Sequence, residues 1–191
     1  MEFITEIIID LSWKIPLLLV LFSAGEYAVH KYILHGHWLH DHGPKWMQYS
    51  YHDHAVEHHG HGYNELRPHI DLVIKDYFLL TPFMAIACVR FFYFHQIGGL
   101  STLISQITVC ILHMILWNSM HRAIHGIEPN NLASRLPWYN FIRKHHEGHH
   151  KDVRRNLNVV LPLCDYLLCN VYKVKLNKAA LQVLVKNQAS P

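Results

Sequence analysis

Charge is scarce in this chain. Only 16% of its 191 residues are Asp, Glu, Lys or Arg, against roughly a quarter in ordinary soluble domains. Apolar residues make up 51%, a balance that excludes a disordered chain and points toward a membrane. Cysteine is also rare. Cys88, Cys110, Cys164 and Cys169 are the four present, none in a CxxC spacing and three inside apolar runs, so a disulfide scaffold is excluded and reduced, buried thiols are expected. Neither a GxGxxG turn nor an iron–sulfur cysteine spacing occurs, which excludes a built-in nucleotide or cluster redox module of those kinds. The net charge of +3 is too small to suggest a nucleic-acid partner. With no Gly/Ser linker, repeat or low-complexity tract, residues 1–191 read as one domain.

What is abundant is histidine, 19 residues against 17 Lys and Arg. Ten lie between His30 and His61 and six between His121 and His150, leaving His69, His95 and His113 outside. Such placement is unlike a contiguous, terminal tag.

The apolar runs set a frame around these groups. The N-terminal region begins acidic, lacks the basic n-region of a signal peptide, and is expected to be retained. Its uncharged run, 15–25, is flanked by Asp10, Lys14 and Glu26; it reads as one tilted helix over about 3–29 or as a hairpin broken near Pro16. A second apolar stretch covers 77–89 and continues past Arg90 through Phe91, Phe92, Tyr93 and Phe94. After the Gly98-Gly99 turn, residues 100–117 carry no formal charge, long enough for a transmembrane helix. A shorter patch, 159–171, reads as buried or interfacial. The predicted fold is therefore all-α: a membrane bundle of three or four transmembrane helices with a cytosolic, helical, histidine-rich metal-binding cap. Because the second and third spans form a hairpin, both histidine regions fall on one face of the membrane. Fifteen of the 17 Lys and Arg lie in 31–76 and 121–191, which makes that face cytoplasmic by the positive-inside rule.

Helical spacing decides which imidazoles can converge. His121 and His125 are an i, i+4 pair about 40° apart around a helix, so they share a face. His146, His149 and His150 flank one face from both sides and three ligands can converge there; His145 is an alternative to His146. In the first region His54 and His58 are an i, i+4 pair, with His59 about 100° away, an arrangement that serves two metals better than one. His52 and His61 are alternatives to His54. His30 and His35 are five apart, about 140° on a straight helix, and converge only if the helix ends or bends near Gly36. His37, His40 and His42 lie near these groups. Neutral imidazole is the commonest metal ligand, and about ten candidates exceed what one tetrahedral zinc uses. Two metals follow. Glu26, Asp53, Glu57, Glu147 and Asp165 are the carboxylates near enough in sequence to orient ligand rings.

The segments EYAVHKYILHG, HAVEHH, HRAIHG and HEGHH resemble, in order, the histidine boxes of the fatty acid hydroxylase/sterol desaturase superfamily, from about Glu26 to Cys169. The second box is HxxxHH here where the family has HxxHH, and after the last box a family segment, roughly Asn-aromatic-Gly then Pro-Leu-Trp-Asp, appears as Asn156-Leu157-Asn158 and Pro162-Leu163-Cys164-Asp165, in which Asp165 matches and the Trp and Gly are missing. The resemblance implies an integral membrane non-haem di-iron oxygenase that hydroxylates or desaturates lipid C–H bonds with O2 and electrons from an external ferredoxin or cytochrome. It carries the ligand role to His30, His35, His54, His58, His59, His121, His125, His146, His149 and His150, for two iron ions, with zinc an alternative occupant on purification. No catalytic residue apart from these ligands and no substrate-binding residue is assigned. The implied substrate is a fatty-acyl or sterol-like membrane lipid, with carotenoid hydroxylation an alternative within the family.

Two readings come from other classes. His146, Glu147 and His150 also fit the HExxH zinc-protease pattern, with Glu147 as general base. Paired histidines on apolar helices would suit a membrane haem or metal-binding protein, although only His113 lies inside such a helix. His113 is itself a functional candidate because it is ionisable within an apolar span. Phe91, Phe92, Phe94 and Trp117 are candidates to line a lipid path. Arg143, Lys144, Lys151, Arg154 and Arg155 form a basic group suited to an acidic donor or to anionic lipid headgroups.

Overall fold

The N-terminal apolar run folds as one helix, with no hairpin at Pro16. In a computed structural model that describes residues 2–60, 72, 81–94 and 96–172, α1 spans Glu2–Val29 with Pro16 inside it. A proline here removes one backbone N–H, a loss tolerated in long apolar helices where neighbouring turns re-satisfy the freed carbonyl. α1 continues into a π-helical turn, His30–Leu34, then the short helices α2 (His37–His42) and α3 (Lys45–Tyr51) and a second π-helical stretch, His52–His58. α4 (Thr81–Phe92) and α5 (Ile97–Ile124) form the central hairpin; a 3₁₀ turn (Ala133–Arg135), α6 (Tyr139–Lys151) and α7 (Leu163–Leu167) complete the chain. No strand occurs among the described residues. His61, His69 and His95, with residues 77–80 of the second apolar stretch, lie outside them.

Two stretches, Ile4–Leu34 and Gly98–Ile124, are long and apolar enough to cross a membrane. They run parallel. Near their beginnings Lys14 Nζ donates to Asp10 Oδ2 (2.6 Å), Ser101 Oγ (2.7 Å) and the Gly98 carbonyl (3.2 Å), and Ser101 Oγ donates to Asp10 (2.6 Å). Farther along, Phe22 meets His113 edge-on, their ring centres 5.4 Å apart. At about 1.5 Å per residue, the twenty residues from Asp10 to His30 and from Ser101 to His121 both span about 30 Å, close to the thickness of a hydrocarbon core. The polar Asp10–Lys14–Ser101 group therefore marks one end of the pair and the histidines the other. Between them Leu17, Val20, Leu21, Ile107, Ile111 and Ile115 are exposed, an apolar surface that water would penalise.

Gly99 sets the hairpin. A Cβ there would stand 2.5 Å from the Phe91 nitrogen and 2.9 Å from the Ala87 carbonyl oxygen, so only glycine lets α4 approach α5 so closely. At the other end of α5, Asn118 brackets the Leu72 backbone through both amide atoms (2.8 and 2.9 Å). A small apolar core of Met120, Ile124, Ala133 and Ile142, with Leu136 and Tyr139 against it, joins the end of α5 to the 3₁₀ turn and α6. This core holds α6 under the histidine-bearing elements.

Candidate metal centre

Helix α6 buries a stripe of Ile142, His145, His146 and His149, the i, i+3, i+4, i+7 pattern of an amphipathic helix with imidazoles where aliphatic side chains would stand. Elsewhere the backbone departs from α-helical winding. In the His30–Leu34 turn the His35 N–H donates to the His30 carbonyl (3.1 Å), the i→i+5 bond of a π-turn. Residues five apart then stand one above the other, and the His30 and His35 rings stack 5.1 Å apart at 13°. The helix does end beside Gly36, as the spacing required, and the change of pitch in its last turn brings the two rings together. The same happens in His52–His58, where the His59 N–H reaches the His54 carbonyl. His54 is consequently aligned with His59, not with His58 as 3.6-residue spacing suggests.

The result is two histidine groups. His30, His35, His54, His59 and His149 form the first and His58, His125, His146 and His150 the second, the ligand nitrogens of each lying within 4.8 Å of one another. Adjacent pairs feed both: His58 and His59, His149 and His150. Box four therefore divides between the groups instead of converging on one. The groups abut, with His59 stacked on His150 at 4.3 Å. His121, fully buried, stands beside the second group, its ring 4.6 Å from His125 and 4.9 Å from both His58 and His146. Trp117 packs on His121 at 4.4 Å, so it backs the site.

Within the first group the Nε2 atoms form a chain of close approaches: His30–His54 at 2.9 Å, His54–His59 at 3.3 Å, His59–His149 at 3.1 Å and His149–His35 at 3.2 Å. In the second, His146 Nε2 lies 3.1 Å from His125 Nε2 and 3.2 Å from His150 Nε2. Around a cation with metal–nitrogen bonds of about 2.0–2.1 Å, neighbouring ligand atoms stand about 3.0 Å apart in octahedral and about 3.4 Å apart in tetrahedral coordination. The observed separations match that range. His30 Nδ1 and His149 Nδ1 donate to the backbone carbonyls of Leu157 and Arg155, the latter at 2.8 Å, which leaves their Nε2 lone pairs facing other imidazoles. A cation satisfies such an arrangement.

Burial also keeps the rings neutral. His54 and His146 are pushed well below the ordinary value of 6.5, first by burial and then by neighbouring histidines. His149 falls to about 3 by burial and the His35 charge, against the opposing bond to the Arg155 carbonyl. His35 falls to about 4 by burial and His37, and His59 and His150 shift the same way for the same leading reason. Neutral imidazole is the ligating form.

No protein-family model, curated protein or solved structure matches this chain. The site is therefore read from its own geometry.

Several candidates take other positions. His145 Nε2 bonds Asp165 Oδ2 at 2.9 Å, both side chains buried, and joins neither group. His37 Nδ1 meets the Tyr51 hydroxyl (3.0 Å), His40 meets Asp41 (2.8 Å), and His42 meets the Trp38 carbonyl (3.0 Å). His52 lies 3.9 Å from both Asp53 and Glu57. Glu147 faces Arg143 at 3.6 Å, in an ion pair instead of poised over His146 and His150 as a protease base would be. No cluster histidine bonds a carboxylate in the contacts described; the backbone carbonyls of Arg155 and Leu157 hold His149 and His30. That role is invisible to a reading of side chains.

Sequence reasoning also passed over Gly148 and gave Asn156 no task. Asn156, at φ +55°, donates from Nδ2 to the His145 carbonyl (2.7 Å) and accepts the Tyr172 N–H at Oδ1 (2.7 Å). A Cβ on Gly148 would stand 2.4 Å from that Nδ2. Gly148→Ala is expected to displace the amide, take the buried Asn156 Nδ2 off its His145 carbonyl acceptor, and cost about 1–3 kcal/mol. Thermal unfolding in detergent checks this, and an unchanged melting temperature would refute the close approach.

Proposed function

We propose that this protein is a multi-pass membrane non-haem di-iron oxygenase that hydroxylates or desaturates a lipid C–H bond using O2 and electrons from a separate donor protein, as its likeness to the fatty acid hydroxylase/sterol desaturase superfamily implies. The observation that carries the reading is the pair of abutting all-imidazole groups at one end of two parallel apolar helices. Imidazole sets suit iron, and two irons would supply the oxidising power for C–H cleavage that no side chain possesses.

The residues divide the work of holding them. His30, His35, His54, His59 and His149 form one ligand set; His58, His125, His146 and His150 form the other, with His121 as its further member. Because His30 and His121 sit at the ends of the apolar stretches, the reactive carbon of a bilayer lipid is presented near the headgroup level while its tail stays among the helices. The exposed Phe92 and Phe94 on the hairpin lie toward the opposite end, so they line no path to the histidines. α4, with the apolar residues before it, supplies a third span. The histidine side is cytoplasmic by its basic residues, and those residues meet anionic headgroups or an acidic ferredoxin or cytochrome.

Two measurements test the reading together. Protein purified after iron loading is expected to contain two irons per chain, and lipids from cells expressing it are expected to include a species heavier by one oxygen or lighter by two hydrogens. One metal or none per chain, a haem Soret band, or an unchanged lipid profile with an active donor present would overturn it.

A further inference from the structure

The segment 155–159 carries no metal ligand, yet it bonds two members of the first histidine group. Its carbonyls at Arg155 and Leu157 accept the Nδ1–H of His149 and His30. Its N–H groups at 157, 158 and 159 are taken by two buried carboxylates from different parts of the chain. Asp165 on α7 accepts from Leu157 N at Oδ1 (2.9 Å) and from Asn158 N at Oδ2 (2.8 Å). Glu26 on α1 accepts from Val159 N at Oε1 (2.7 Å) and from Asn158 Nδ2 at Oε2 (3.2 Å). Asn158 Nδ2 also reaches the Ser23 carbonyl (2.7 Å), and Ser23 Oγ donates to the Leu161 carbonyl (2.7 Å). The segment is thus clamped to α1 on one side and α7 on the other.

Geometry gives the clamp a purpose beyond packing. A histidine bonded through Nδ1–H has its lone pair on Nε2, and the Nε2 atoms of His30 and His149 face the other three members of their group. Should the segment slide, either ring is free to take the other tautomer and present an N–H where a ligand lone pair is needed. Fixing this choice through hydrogen bonds to the ring's other nitrogen is how metal sites are tuned, and such contacts are worth about 10–100-fold in metal affinity. Here the carboxylates do so one step removed, acting on peptide groups instead of on imidazoles. Both ring bonds that the segment makes, to His149 and to His30, go to members of the first group.

We propose that Glu26 and Asp165 are positioning residues that, through segment 155–159, hold His30 and His149 in the Nδ1–H tautomer and so prepare the first histidine group for its metal. The proposal rests on the metal-centre reading, but its first test needs neither metal nor activity. In ¹⁵N-histidine NMR of the full-length, metal-free protein, His30 and His149 are expected as Nδ1–H tautomers; finding either as Nε2–H overturns the proposal even if the protein binds two irons.

Chelator competition with cobalt(II) provides the second test. Glu26→Ala is expected to weaken one of two sites by about 10-fold or more while the other stays within about twofold, and Glu26→Gln, which keeps an acceptor for the Val159 N–H, is expected to stay nearer the parent than Glu26→Ala. Equal loss at both sites would mark general structural damage, and no loss at either would mark an idle clamp; each overturns the proposal. If the alanine variant does not fold, the NMR assignment on the parent protein still decides. A protein that binds no cobalt at all but shows both tautomers would sink the metal-centre reading and leave the clamp standing.

Discussion

Alanine at His149 is expected to remove one metal ion of two and to lower product formation at least about 100-fold, leaving the second ion in place. His149 is the hub of the first group: its Nε2 lies 3.2 Å from His35 and 3.1 Å from His59, while its Nδ1 is fixed on the Arg155 carbonyl at 2.8 Å. Truncation deletes a ligand and also takes away the imidazole that donates to the Arg155 carbonyl. His146→Ala should be the mirror image, emptying the second group, whose His125 and His150 both approach His146 Nε2. Metal analysis of the two variants, each extracted from the membrane fraction, checks the division. Full metal retention in either would refute the grouping. Loss of both ions from each variant would instead show that the abutting groups fill only together.

Acid should strip and destabilise the protein well above the pH at which carboxylates protonate. His35 and His149 are held to about 4 and about 3 in the folded chain, against an unfolded value of about 6.5. Between those limits the unfolded chain binds more protons than the folded one, so stability rises with pH and is lost as pH falls from 6.5 toward 4. Each such ring contributes a slope of up to about 1.4 kcal/mol per pH unit within its window. His54 and His146, also driven down by burial, act in the same direction. Above about pH 7.5 the curve should be flat. Bound metal adds to the dependence because protons compete for the same nitrogens. Melting temperatures and metal retention followed from about pH 8 to about pH 4 give the measurement. A melting temperature unchanged between 6.5 and 4 would contradict neutral, buried imidazoles.

Much was legible without coordinates. The scarcity of charge and the uncharged stretch in α5 marked apolar helices, and the short turn between α4 and α5 required both histidine regions to meet on one side. Nine of the ten expected ligands do meet in two groups, with His121 against them. The adjacent pair His58–His59 already hinted at two metals, because neighbours on a helix point about 100° apart.

Which histidine joins which group was not legible, because spacing arguments presuppose 3.6 residues per turn. The two π-helical turns change that pitch, pairing His30 with His35 and His54 with His59. Nor could side-chain chemistry reveal that peptide carbonyls at 155 and 157 would hold the rings while Glu26 and Asp165 hold those peptides. Composition and order determined that this chain builds a histidine centre at the end of apolar helices, since burying so many imidazoles requires neutrality and a shared partner. Helix pitch and the path of segment 155–159 were left to the tertiary structure, because both involve contacts between residues far apart in the chain, such as His59 with His149 and Glu26 with Val159.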